Sequence, residues 1–246
     1  MFSDSKSDHP QEELLPAFLH EQDTIRKKYL KVAGAADAVV HIAGYEGRRP
    51  IGYGSGAVVK NRYILTCRHV IEGTTDLWCY MNANGKNFMA YVDTKEAIVL
   101  PPKGNLTGEQ EFIRDLALLP LPGAFKRHKI PSLNFRDDTG YDQENFLIGF
   151  AAIKKSIDWP EFGRFPTIHR LLDTYQTNSI LMTGKFDTEF VEDVHGASGG
   201  AFVDRDGNLI GVLAKGIGKS DTTIWRKPFV WGIPTHAIKS AFPHRL

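Results

Sequence analysis

The sequence predicts an all-β protein made of two antiparallel β-barrels of the six-stranded type, with an N-terminal helix and a short C-terminal helix. Three observations support this prediction. Short apolar runs of strand length recur between Gly, Asn and Pro residues from residue 38 onward. A polar stretch interrupts these runs at residues 122–144. Apolar residues at helical spacing precede the first run.

The N-terminal region is predicted to contain a tail and one helix. Residues 1–13 are polar and acidic, and we expect them to be disordered. A helix is predicted over residues 14–36, with Pro16 at its start and Gly34 near its end. Its buried face, which should cover the flank of a barrel, consists of Phe18, Ile25, Tyr29 and Val32.

Residues 37–121 form the predicted first barrel. They contain the apolar runs AVVHIAG, GYGSGAVV, YILTCRHV, LWCYMN, FMAYVDT, AIVLP and LALLPL. Turn-forming Gly, Asn and Pro residues separate these runs, as expected for consecutive antiparallel strands. Residues 122–144 then serve as a connector to the second barrel.

Residues 145–246 form the predicted second barrel, with the C-terminal helix starting at about Thr235. Its strand-forming runs are FLIGFAA, SILMTGKF, AFVD, LIGVLAKG and FVWGIP. The pair Asp206-Gly207 stands between two of these runs, and Asp-Gly is a strong signal for a β-hairpin.

Composition limits the classes of function. The chain has 246 residues, of which 42% are hydrophobic, enough for one globular unit with a sizeable core. The formal net charge of +1 gives no strong attraction for nucleic acid or an anionic membrane. No apolar run is long enough to cross a bilayer, and the first residues lack a Sec-type signal peptide. We therefore expect a cytoplasmic protein, or one exported by a route without a Sec signal.

The cysteine content is low. Cys67 and Cys79 are the two cysteines of the sequence, and sequence alone leaves open whether they are free or paired. Together with scattered histidines they give no metal-ligand spacing, so neither a metal nor a cofactor is predicted.

Three short motifs carry the candidate chemistry: TCRHV at 66–70, RDLALLPL at 114–121 and HGASGGAF at 195–202. A serine hydroxyl is a weak nucleophile at neutral pH and needs a neutral imidazole to take its proton. The imidazole in turn needs a carboxylate that holds its tautomer and stabilises the imidazolium. The sequence therefore predicts Ser198 as nucleophile, His69 as general base and Asp115 as the residue that orients the base.

Glycines bracket the candidate nucleophile. Gly196 and Gly199 allow the backbone to turn tightly, so that the N–H groups of Gly196 and Ser198 can point at one spot. Donors placed there stabilise the negative charge that develops during acyl transfer, and each is typically worth about 3–4 kcal/mol. These two N–H groups form the predicted oxyanion hole.

Residues 196–200, GASGG, also fit the G-x-S-x-G nucleophile elbow of α/β-hydrolases. That motif requires a helix after the serine, and an aspartate and a histidine later in the chain. Here a predicted hairpin follows Ser198, and too few residues remain for the strands and helices of such a fold. We therefore reject this alternative.

The order and spacing of the three motifs resemble those of the trypsin-like, chymotrypsin-fold serine peptidases. DLALL resembles the family's aspartate strand, GSGAVVKNRYILTCRHVI its strand–loop–histidine unit, and NLIGVLAKG the strand after the nucleophile loop. The resemblance covers roughly residues 37–238 and is closer to the bacterial and heat-shock-type branch than to secreted zymogens. It implies a serine endopeptidase that acts on protein or peptide substrates.

The resemblance also bears on activation. Many secreted relatives carry an aspartate directly before the nucleophile, and it binds a new N-terminus after proteolytic cleavage. Ala197 occupies this position here and cannot form an ion pair. The resemblance therefore implies no zymogen switch of that kind.

Substrate-binding residues are implied in the same way. Glu192 stands at the position of the pocket floor and would favour a basic residue on the acyl side of the cut bond. His195, beside the nucleophile loop, is a further candidate. The strand expected to pair with extended substrate contains Leu213, Ala214, Lys215 and Gly216. Because Phe229 would narrow the pocket and Lys215 could neutralise Glu192, a preference for small or medium apolar residues stays open.

A catalytically silent peptide-binding domain on the same fold is the alternative function. Loss of a residue of the triad would be its usual sign. His69, Asp115 and Ser198 are all present, which favours an enzyme. The sequence leaves the oligomeric state open.

Overall fold

The computed structural model of the chain describes residues 11–83, 85–100, 113–136, 144–150, 166–176, 182–188, 196–217 and 229–246. Within these ranges the strands form two antiparallel sheets, which confirms the predicted all-β class. Helices lie before the first strand and after the last, also as predicted.

The N-terminal region contains two helices where one was predicted. Helix α1 spans Gln11–Lys28 and helix α2 spans Leu30–Ala36. The first helix begins inside the segment expected to be disordered, and Pro16 lies within it instead of at its start. Tyr29 interrupts the helix with φ −122° and ψ 72°. Its ring packs 4.7 Å from that of Phe146, so tertiary packing competes with the local helical pattern.

The predicted apolar helical face is confirmed. Phe18, Tyr29 and Val32 are buried, and Ile25 packs against the core. Polar groups fix the helix to the second sheet as well. The buried Gln22 amide donates to the carbonyl oxygen of Ile168 (3.0 Å) and accepts from its N–H (2.8 Å). The N-terminal helices therefore cover a flank of the second barrel.

The first sheet has seven strands in the order β5-β4-β1-β2-β3-β7-β6. They are β1 (Val39–Glu46), β2 (Arg49–Val59), β3 (Tyr63–Thr66), β4 (Asp76–Ala83), β5 (Lys86–Val92), β6 (Ile98–Val99) and β7 (Ala117–Pro120). Each corresponds to one of the seven predicted apolar runs. Within the described residues this sheet therefore has seven strands, with β5 and β6 at its two edges.

The second sheet is a closed barrel of six strands in the order β10-β13-β12-β11-β8-β9. They are β8 (Asn145–Gly149), β9 (Thr167–Gln176), β10 (Met182–Phe186), β11 (Ala201–Asp204), β12 (Leu209–Ile217) and β13 (Phe229–Pro234). The sequence did not predict β9, since its many polar residues weaken the apolar pattern. The Asp206-Gly207 hairpin is confirmed, with Gly207 at φ +77° between β11 and β12.

The region predicted as a connector carries structure of its own. It contains a short helix, Gly123–Arg127, and two isolated parallel bridges. One bridge pairs Leu133 with Val59 of the first sheet, and the other pairs Phe135 with Leu209 of the second. The connector therefore joins both sheets. A single apolar cluster also includes buried residues from both sheets. The predicted C-terminal helix lies at Thr235–Ala241.

One half-buried histidine, His41, lies among aromatic rings near the junction of the two sheets. The ring of His41 lies 5.1 Å from that of Phe150, 6.0 Å from Tyr80 and 6.4 Å from Tyr53. Its buried Nε2 atom has no hydrogen-bond partner in the described part of the chain. Burial disfavours the charged imidazolium and lowers the pKa of His41 to about 4.

Acid should destabilise the protein through this group. An unfolded histidine takes up its proton at about pH 6.5, whereas folded His41 resists protonation down to about pH 4. The unfolded state therefore binds more protons between these values, and the free energy of unfolding falls as the pH is lowered, by on the order of 3 kcal/mol. His41→Phe should remove this part of the dependence in urea titrations across that range. The exposed His244→Phe variant should keep the native curve, and an unchanged curve for His41→Phe would contradict the prediction.

Candidate active site

Strand pairing in the first sheet brings His69 and Asp115 together. Strands β3 and β7 are antiparallel, with Thr66 opposite Ala117. The chain leaves β3 into the four-residue helix α3, Arg68–Ile71, which carries His69. Asp115 precedes β7 on the same side of the pairing. Residues far apart in sequence are therefore neighbours at one end of these strands.

The two side chains are hydrogen-bonded. The Nδ1 atom of His69 lies 2.6 Å from Oδ2 of Asp115, and the backbone N–H of His69 donates to Oδ1 at 2.9 Å. A neutral imidazole facing a carboxylate carries its proton on the nearer nitrogen, which leaves Nε2 as the acceptor. The side chain of Asp115 is 18% exposed and that of His69 is 44% exposed. The carboxylate is thus shielded while the imidazole remains accessible.

The candidate nucleophile lies in a turn over residues 196–199. Gly196 and Gly199 both have φ +82°, a conformation that favours glycine. Ala197 between them is buried, whereas Ser198 is partly exposed. Both predicted glycines therefore occupy positions where the backbone has a positive φ, and Ser198 is accessible from solvent.

The turn packs directly on strand β2 of the first sheet. The backbone N–H of Ser55 donates to the carbonyl oxygen of Ser198 at 2.7 Å. A Cβ atom on Gly199 would lie 2.0 Å from the carbonyl oxygen of Ser55 and 2.5 Å from Oγ1 of Thr66. Thr66 stands three residues before His69 and donates its hydroxyl to the same carbonyl oxygen. The serine turn therefore contacts the element that leads to His69.

One carbonyl group links the serine and histidine segments further. The carbonyl oxygen of Leu213 accepts the Gly199 N–H at 2.7 Å and the Cys67 thiol at 3.0 Å. Cys67 lies two residues before His69 and Gly199 directly follows Ser198. This shared acceptor holds the two segments at a fixed separation.

Both cysteines are buried and free, which answers the question that the sequence left open. Within the described residues, Cys67, His69 and Asp115 form a group of potential metal ligands whose ligand atoms lie within 4.8 Å of one another. Burial, with the nearby charge of Asp115, raises the pKa of the Cys67 thiol well above its ordinary value. A metal ligand must be the thiolate, so the protonated, hydrogen-bonded thiol favours a packing role for Cys67.

The predicted substrate-binding residues fall into two groups. Glu192 and His195 lie outside the described residues. The other four lie on β12, but Leu213 is buried and its backbone already bonds to the turn residues Gly199 and Gly200. Ala214 is buried too, whereas Lys215 is exposed and Gly216 partly so.

The sequence did not predict the role of Ser55. The run GYGSGAVV predicted only a strand at this position. The structure adds a fully buried hydroxyl at Ser55, which donates a hydrogen bond to the serine turn. The feature of the sequence that could have indicated this role is a small polar residue between two glycines, Gly54 and Gly56.

The model of the trypsin-like peptidase domain family matches residues 54–212, a span that contains His69, Asp115 and the serine turn. The chain belongs to this trypsin-like peptidase family. By family it is accordingly a serine protease, and the matched span includes strands of both sheets. No curated protein sequence matches the chain.

Solved structures agree with this trypsin-like fold. The serine endoprotease from Yersinia pestis has 21% sequence identity and a TM-score of 0.57, over 87% of this chain and 64% of that one. The active form of the Rv3671c protease from M. tuberculosis has 17% identity and a TM-score of 0.57, over 90% of this chain and 86% of that one. Deg5 has 18% identity and a TM-score of 0.59, over 90% of this chain and 92% of that one. The chain thus spans less than two thirds of the Yersinia relative. Among the described residues, no helix of this trypsin-like protease is long and apolar enough to span a membrane.

Proposed function

We propose that this protease is an endopeptidase that cuts peptide bonds through Ser198, His69 and Asp115. The hydrogen bond of 2.6 Å between His69 and Asp115 is the observation that carries the proposal, because it engages Nδ1 and leaves Nε2 of an accessible imidazole as the proton acceptor. The partly exposed Ser198, in a turn bonded to the same sheet, supports it.

In the proposed reaction, the Ser198 hydroxyl attacks the carbonyl carbon of the substrate while His69 Nε2 takes the hydroxyl proton. The carbonyl oxygen becomes an oxyanion that accepts hydrogen bonds from the N–H groups of Gly196 and Ser198. The C–N bond then breaks, and His69 returns the proton to the leaving amine. Water, activated by the same imidazole, releases the acyl group from Ser198. Asp115 keeps the imidazole oriented and stabilises its charged form.

The intact chain should react with a fluorophosphonate probe. Ala197 is buried and uncharged, so we expect the serine turn to need no ion pair with a new N-terminus. Full-length protein, verified by mass spectrometry, should become labelled, and Ser198→Ala should not. Labelling of an N-terminally cleaved form alone would contradict this prediction. A protein that takes no label but binds peptides would support the catalytically silent alternative.

We further propose that Glu192 favours cleavage after Lys or Arg. A carboxylate in a partly desolvated pocket forms a charge-assisted hydrogen bond with a basic side chain. Cleavage sites in a peptide library should follow basic residues, and Glu192→Ala should lose this preference. Glu72→Ala, which removes a carboxylate at an exposed position, provides the control. Cuts after Leu, Ala or Val that persist in Glu192→Ala would favour the apolar pocket instead.

A further inference from the structure

The side chain of Ser55 forms a buried hydrogen-bonded link between the two sheets. Its Oγ atom donates to the carbonyl oxygen of Gly196 at 2.7 Å. The N–H of Phe150, directly after strand β8, donates to the same Oγ at 2.9 Å. A hydroxyl has one proton, so these bonds run in one direction, from Phe150 through Ser55 to Gly196. Such chains strengthen one another in a low-dielectric interior.

The backbone of Ser55 bonds to a second residue of the serine turn. Its N–H donates to the carbonyl oxygen of Ser198 at 2.7 Å, and its carbonyl oxygen accepts the Thr66 hydroxyl at 2.7 Å. One residue of β2 therefore bonds to the first and third residues of the Gly196–Ser198 segment. These two residues carry the N–H groups of the proposed oxyanion hole.

Because a peptide group is planar, these contacts restrict the orientation of the backbone at Gly196. Because the Gly196 carbonyl is held by Ser55, the peptide plane after Gly196 is fixed. The Gly196 N–H belongs to the preceding peptide group, and its direction relative to that plane depends on both backbone dihedral angles of Gly196, of which φ is +82°. Movement of Gly196 is limited on its other side, where a Cβ atom would lie 2.6 Å from the Phe150 carbonyl oxygen. Loss of the hydroxyl would release this peptide while leaving the backbone bond to Ser198 in place.

We propose that Ser55 is a positioning residue that holds the N–H groups of Gly196 and Ser198 in the arrangement needed to bind an oxyanion. This inference rests on the proposed acyl-transfer function. Among the described residues, the hydrogen bonds of Ser55 involve neither the Ser198 hydroxyl nor the His69–Asp115 pair, and we propose that it acts through the Gly196 carbonyl. We therefore expect that loss of the Ser55 hydroxyl weakens the binding of tetrahedral species more than it weakens the binding of uncleaved peptide.

The test compares Ser55→Ala with wild type. A misplaced oxyanion donor costs about tenfold to several hundredfold in kcat, so we expect a loss of about tenfold to a hundredfold with KM changed less than about threefold. The affinity for a peptide boronate, which forms a tetrahedral adduct, should fall by a similar factor. Binding of uncleaved peptide, measured in the Ser198→Ala background, should stay within about threefold on adding Ser55→Ala. The fall of kcat/KM at acidic pH should occur over the same pH range in Ser55→Ala as in wild type.

Two further variants separate positioning from general stability. Thr235→Val also removes a buried hydroxyl, which donates to the Arg136 carbonyl oxygen at 2.6 Å, and it should lower thermal stability without changing kcat. Ser55→Cys keeps the shape with weaker hydrogen bonds and should give an intermediate kcat, which carries the test if Ser55→Ala does not fold. The proposal is overturned if kcat stays within about threefold in the folded Ser55 variants. It is also overturned if peptide binding weakens as much as kcat. A wild-type protein that neither takes the fluorophosphonate label nor cuts peptides refutes the proposed function itself.

Discussion

Replacing either Ser198 or His69 by alanine should lower kcat/KM by about four to six orders of magnitude. The physical reason is that the hydroxyl and the imidazole act in one step, in which one attacks and the other takes its proton. Once either is missing, the other contributes almost nothing. The double variant should therefore be scarcely worse than either single variant. Steady-state kinetics on a peptide substrate and probe labelling would measure both effects.

Matched substitutions at exposed positions provide the controls. Ser240→Ala and His244→Ala change the same residue types on the surface near the C-terminus and should keep native activity. Activity should also fall on acidification, because a protonated His69 imidazole has no lone pair to accept the serine proton. Losses that add up in the double variant, or full activity in strongly acidic buffer, would contradict the assignment.

Gly199→Ala should abolish labelling of Ser198 and destabilise the fold by about 3 kcal/mol or more. Two effects combine at this position. The φ of +82° is unfavourable for alanine, and the new methyl group would meet the Ser55 carbonyl oxygen at 2.0 Å. The backbone of β2 cannot retreat without breaking its pairing, so the serine turn must move. Urea denaturation and probe labelling would record the two losses.

Gly85→Ala isolates the contribution of backbone strain. Gly85 has φ +71°, yet no atom of the described residues would lie within 4 Å of a Cβ atom there. This variant should lose only about 1–2 kcal/mol of stability and keep full activity. If Gly199→Ala loses no more stability and no more activity than Gly85→Ala, the prediction that the serine turn packs too closely on β2 for a side chain at Gly199 is wrong.

Local patterns were sufficient to predict much of the fold. Each of the seven apolar runs before residue 122 contains a strand, because short apolar runs between turn-forming residues suit strands that are largely buried. The Asp206-Gly207 turn was equally local, since Gly207 supplies the positive φ that the hairpin needs. Predictions failed where local signals were weak or overridden. Strand β9 (Thr167–Gln176) has many polar residues, and the helix interruption at Tyr29 coincides with its packing on Phe146.

The candidate site, like the fold, could be predicted only in part from local sequence patterns. The sequence by itself determined the residue types, because His69, Asp115 and Ser198 stand in motifs whose chemistry is specific to acyl transfer. Only the tertiary structure decided that His69 and Asp115 are hydrogen-bonded, that Gly199 has no room for a side chain, and that Ser55 bonds to two residues of the serine turn. The His69–Asp115 bond joins residues separated by 46 positions, and the bond from Ser55 to the first residue of the turn spans 141 positions. Local patterns cannot predict such contacts, because they arise when separate sheets pack and each buried polar group must find a partner.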